Sequence, residues 1–136
     1  MKSSTWIMIA GFFGASGVML GAYHAHGLEK MLASQQLDPI DIAERMDQCA
    51  VAVRYQMIHA LGLACVGLLA VRSGSRSYTV SGTLFAVGTV LFCGGLYLNV
   101  FTGNMVHWAI VPSGGLLLAT AWLAMAVTAW RERGAG

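Results

Sequence analysis

Charge is what this chain lacks most. Of its 136 residues only eight are Lys or Arg and six are Asp or Glu, 10% in all, where soluble domains carry about a quarter. So little charge cannot hold a 57% apolar chain in water, and the mean hydropathy of +0.65 agrees. The chain is expected in a membrane. Proline is nearly absent, with two residues, so the 17 glycines belong to no disordered Pro/Gly tract. In a membrane chain they mark close approach of helices. The net charge of +2 is small and dispersed, and no basic patch interleaves with aromatics, which excludes nucleic-acid binding. Cys49, Cys65 and Cys93 form no CxxC pair. No Ser-His-Asp or Cys-His order, phosphate-binding glycine loop or intramembrane carboxylate pair is present, so no catalytic residue, resident cofactor or metal is assigned, and the chain is not expected to be an enzyme.

What is abundant is apolar sequence in long runs. Four stretches, residues 5–23, 53–71, 78–100 and 108–130, each approach the ~20 residues that a bilayer core requires. The expected fold is all-α, an integral membrane bundle of four transmembrane helices in a single domain over 1–136, crossing the cell membrane several times. Aromatics end three of the spans. Trp6 and Tyr23 stand ~26 Å apart, Tyr78 and Tyr97 ~29 Å, and Trp108 and Trp130 ~33 Å at 1.5 Å per residue, matching interfacial belts around a ~30 Å core. Lys2 and the first run also fit a secretory signal, but the run is long for that, and Gly11, Gly14, Gly17 and Gly21 make a small-residue ridge suited to lasting helix contact.

Orientation follows the basic residues. Lys2, Arg72, Arg76, Arg131 and Arg133 fall on one side and Lys30, Arg45 and Arg54 on the other, so both termini are expected in the cytoplasm. His24, His26, His59 and His107 all fall towards the opposite side. In the stretch VRYQMIHALGL, Tyr55 and Gln56 lie four and three residues before His59, close enough on a helix to form a hydrogen-bonded cluster with it or with a histidine of helix 1. Metal or haem ligation by the histidines is a lesser reading, because HAH is a weak motif and no His-x-x-x-His pair is present.

Between helices 1 and 2 lies an amphipathic segment, 39–52. Asp38 is placed to cap it and Pro39 to start it, while Ile42, Met46, Cys49 and Val53 recur on one face. With no breaker before Arg54, continuation into helix 2 is favoured over a helix lying on the membrane surface. RSGSRS, residues 72–77, is a compact turn that makes helices 2 and 3 neighbours. Gly94-Gly95 and Gly114-Gly115 invite close backbone contact, and Pro112 fits the first turn of the last helix.

GAYHAHGL, RYQMIHALGL, GTVLFCGGLY and PSGG…AW occur in the order and spacing of a known family. The chain resembles, over nearly its whole length to Trp122, the small four-helix membrane proteins of the YgdD and YwdK type, domain of unknown function 423. That family usually reads GAFGAH where this chain has residues 21–26, so His26 matches the family histidine and His24 replaces a glycine. The resemblance implies a shared polar cluster of His26, Tyr55, Gln56 and His59. It implies no activity. The leading expectation is a structural or accessory protein that self-associates or joins a larger membrane complex through its glycine faces, in contact with the lipid bilayer. The alternative is binding of a lipid, quinone or other small molecule at the polar cluster.

Overall fold

The computed structural model describes residues 3–73, 77–104 and 108–133. Lys2, Arg76 and His107 lie outside the described residues. Helix α1 (Ser3–Tyr23) continues through a π turn (His24–Leu28) into the short α2 (Glu29–Ala33), so the first rod runs well beyond the expected end at residue 23. Gly27 sits inside the π turn with the Tyr23 ring folded over it; a Cβ there would stand 2.9 Å from Tyr23 Cε2. Gln36, with φ of 57°, ends the turn after α2, and its left-handed backbone stops the helix.

Helix α3 (Pro39–Ser73) is a single 35-residue helix. Asp38 Oδ1 accepts the Ile40 amide at 2.8 Å, and Pro39 takes the first helical position, where its missing N–H is not needed. Residues 39–52 are thus the opening part of α3, not a separate surface helix. Helix α4 covers Ser77–Thr102, closed by Gly103 at φ 70°, and α5 covers Ile110–Arg133 with Pro112 in its first turn. Each of the four rods is long and apolar enough to cross a membrane.

The helices pack in sequence: α1 on α3, α3 on α4, and α4 on α5, with only slight contact between α3 and α5. Two cores result. Trp6, Ala10, Leu63, Val66, Tyr78, Phe85, Leu118 and Ala121 form the larger one. Leu28, Leu32, Cys49 and Val100 form a second, with Ile42, Met46 and Val53 from the apolar face of 39–52 packed against it. The aromatic belts need correcting here. Trp6 and Tyr78 are only 2% and 1% exposed and belong to the core, whereas Trp108 and Trp130, 75% and 72% exposed, remain on the surface. Trp6 turns inward because Gly82 leaves room for its indole on α4.

The glycines also divide differently from the expected ridges. Gly17 and Gly21 lie against Met57, Gln56 and Val53 of α3. Gly11 and Gly14, from the same ridge, have no neighbouring atom within 4 Å of a Cβ, and neither has Gly94. Gly95 is buried. At Gly114 a Cβ would run into the Phe92 backbone, while Gly115 meets only the Phe92 ring at 3.5 Å. Four packing glycines were not singled out in the sequence: Gly62 under Phe85 and Trp122, Gly67 under Ile7, Gly82 under Trp6, and Gly88 under Leu118.

Candidate functional site

The polar residues of RYQMIHALGL share one stretch of α3, yet they point to different neighbours. Gln56 is buried against α1. Its Nε2 donates to Phe13 O and to Ser16 Oγ, both at 2.8 Å, so one amide ties the middle of α3 to the middle of α1. Such a tie suits hydrocarbon, where Phe13 O gains a second donor and Ser16 Oγ, which already donates to Phe12 O at 2.8 Å, finds a donor of its own. Beside it, between α1 and α4, opens a cleft of about 220 Å³ whose walls include Phe12, Leu20, Val90, Gly94 and Tyr97. The cleft exists because α1 packs on α3 without a comparable interface to α4. Its lining is almost wholly apolar, and the Tyr97 hydroxyl is buried without a hydrogen-bond partner among the described residues.

His59, one turn further along, faces α4 and α5. Its Nδ1 lies 2.6 Å from Tyr55 O. A carbonyl can only accept, so Nδ1 carries the proton and, in the neutral ring, Nε2 is left as an acceptor. Aromatic rings surround it, with centroids 5.8 Å away for Tyr55 and Phe85 and 6.2 Å for Trp122. Phe85 and Trp122 meet edge to face at 4.9 Å, and Phe92 closes on Tyr55 at 4.8 Å. No described residue donates to Nε2. Tyr55 and Trp122 are about 40% exposed, at 41% and 38%, so the recess reaches the outside of the bundle.

His26 does not join this group. Gly17 faces Met57, Gly21 faces Val53, and His24 Nε2 lies 3.1 Å from Met46 O, so the rod descends α3 in antiparallel register. His26 therefore sits beside the first half of α3, about 11–15 residues or roughly 16–22 Å from the level of His59. It is exposed, while its neighbour His24 makes the contact with α3. The cluster of four expected from the resemblance is thus three separate arrangements: Gln56 with Ser16, His59 with Tyr55 and the aromatics, and His26 alone. Among the described residues no three His, Cys, Asp or Glu side chains gather as metal ligands.

A polar chain links the first half of α3 to the C-terminal end of α4. Asn99 Nδ2 donates to Gln48 Oε1 at 2.7 Å, and Gln48 Nε2 donates to Glu44 Oε1 at 3.0 Å. Ser16, Phe85 and Trp122 were missed in the sequence as partners of Gln56 and His59. Only Phe85 and Trp122 carried a signal, as aromatics near small residues on neighbouring helices.

The comparisons place this architecture. The family model described as a protein of unknown function, DUF423, matches residues 20–115. YwdK of Bacillus subtilis (strain 168), a UPF0382 membrane protein, is 38% identical over 82% of this chain and 85% of its own. A UPF0382 membrane protein of Haemophilus influenzae is 32% identical over 97% and 96%. YgdD of Escherichia coli (strain K12), a UPF0382 inner membrane protein, is 30% identical over 100% of this chain and 97% of its own. No solved structure matches. The family model covers the histidines, the α3 motif and both Gly-Gly pairs, and the relatives extend the match over the four spanning helices: the chain belongs to the DUF423 family of membrane proteins.

Proposed function

We propose that this is a non-catalytic membrane protein that assembles with another transmembrane helix, its own or a partner's, along the open flank of α1. The observation that carries the reading is the division of the α1 ridge. Gly17 and Gly21 are used inside the fold, whereas a Cβ on Gly11 or Gly14 would meet no atom of another element within 4 Å. At 3.6 residues per turn Val18 follows them on the flank away from the cleft. A second helix can approach closely there, gaining the dispersion contact that drives association in lipid. The excess of Lys and Arg at the end holding Arg72, Arg131 and Arg133 supports cytoplasmic termini.

Replacing Gly14 with Ile tests this. The monomer has room for the side chain, so helicity is expected to persist while the assembled species measured by mass in mild detergent disappears. A protein that is monomeric without partners before the change, or assembled as before after it, refutes the proposal.

A second reading rests on His59 alone. Its unpartnered Nε2 in an aromatic recess suits the hydroxyl of an amphiphile entering between α3 and α5. His59→Phe keeps the ring packing and removes the acceptor; loss of a co-purifying hydroxylated lipid is expected, and unchanged retention would sink this reading.

A further inference from the structure

The other end of the bundle holds a pocket of a different character. It lies between the last turns of α3 and α5 and the start of α4, measures about 430 Å³, and is lined by Leu69, Arg72, Ser73, Tyr78, Ala129, Glu132 and Arg133. Trp130, exposed beside it, sets its height at the headgroup layer, where indoles collect. Leu69 and Ala129 lie about one turn deeper along their helices than Arg72 and Arg133, so the pocket is apolar towards the hydrocarbon and basic towards water.

Two features are unbalanced. Neither Arg72 nor Arg133 makes an ion pair or hydrogen bond with any described residue. Glu132 accepts the Tyr78 hydroxyl through Oε2 at 3.0 Å, but its Oε1 is buried with no partner among the described residues. Offsetting the C-terminal ends of α3 and α5 would explain the two arginines. It would not explain a carboxylate oxygen held out of water without a donor, which carries a desolvation cost until a donor arrives. With two guanidinium groups and one carboxylate, the lining carries a net charge of one positive unit.

We propose that this pocket binds the headgroup of an anionic glycerophospholipid, with its phosphodiester on Arg72 and Arg133 and a headgroup hydroxyl donating to Glu132 Oε1. Phosphatidylglycerol supplies both the single negative charge and the hydroxyls, and its chains leave along Leu69 and Ala129. Phosphatidylcholine supplies no donor and no net charge. Phosphatidylmethanol supplies the charge without the hydroxyls, and inorganic phosphate lacks the chains.

Native mass spectrometry of the full chain, titrated with each lipid in mild detergent, tests the assignment. Phosphatidylglycerol is expected to be retained at least about tenfold better than phosphatidylcholine, as two basic residues at a headgroup layer allow, and several-fold better than phosphatidylmethanol. The Arg72→Gln/Arg133→Gln double variant should lose the first preference, and Glu132→Gln, which keeps the bond to Tyr78, should narrow the second. Arg131→Gln, an exposed change outside the pocket, should alter neither. Equal retention of phosphatidylglycerol and phosphatidylcholine by the wild-type chain overturns the proposal whatever the variants do. So does an unaltered preference in a folded double variant, and displacement of the lipid by millimolar inorganic phosphate would assign the site to a soluble anion instead.

Discussion

Gly114→Ala is the sharpest perturbation of the bundle. The new methyl would stand 2.9 Å from Phe92 Cα and 3.0 Å from Gly88 O, besides meeting the Phe92 amide nitrogen. All three are backbone atoms, so no rotamer change relieves the clash, and α5 must back away from α4 as a unit. These two helices share the largest interface in the fold, so the shift weakens packing along its length. Overpacking of this kind costs about 1–3 kcal/mol, and the better helix propensity of Ala returns up to ~1 kcal/mol. A net loss of roughly 1–2 kcal/mol is expected, a factor of about 5–30 in the folding equilibrium. Reversible SDS unfolding in mixed micelles, followed by circular dichroism, measures it. Gly115→Ala is the matched control, because its methyl meets only the Phe92 ring at 3.5 Å, an ordinary contact. If Gly114→Ala unfolds at the same SDS fraction as Gly115→Ala, the close α4–α5 crossing is refuted.

The same unfolding assay reads three further changes. Trp6→Ala should cost about 2–4 kcal/mol, the packing share of a large core deletion, and Trp130→Ala almost nothing; equal effects would return Trp6 to the membrane surface. Gln56→Leu removes both ties to α1 and should cost about 0.5–1.5 kcal/mol, the range of interhelical hydrogen bonds in lipid. A more stable Gln56→Leu protein would contradict the tie. Asp38→Ala removes the acceptor for the Ile40 amide, so hydrogen exchange should accelerate at residues 40–42, with about 1 kcal/mol lost from the start of α3; unchanged exchange would count against the cap.

Pattern alone made the four spans and the start of α3 legible. Long apolar runs have only one way to satisfy their backbone in lipid, and the Asp38-Pro39 pair marks a helix start by local chemistry. These features depend on neighbours in the chain. The extent of the first rod was hidden, since the π turn at His24–Leu28 and the continuation to Ala33 occur in a polar segment without apolar period. The site was legible only as a list of residues. Tyr55, Gln56 and His59 share one stretch of α3, but spacing along a helix does not say which neighbour each side chain will meet, and Gln56 turns to α1 while His59 turns to Tyr55 and the aromatics.

That choice belonged to the tertiary structure. The amino-acid sequence by itself determined the solvent, the number of crossings and the helical character of the chain, because composition and run length fix what a bilayer accepts. Only the packing of α1 on α3, of α3 on α4 and of α4 on α5 decided that Trp6 and Tyr78 are core and not belt. It also decided that Gly17 is occupied while Gly14 is open, and that His26 stands apart from His59. The physical reason is that lipid and protein interior are similarly apolar. Hydropathy therefore cannot tell a lipid-facing residue from a buried one, and shape complementarity between helices settles it instead.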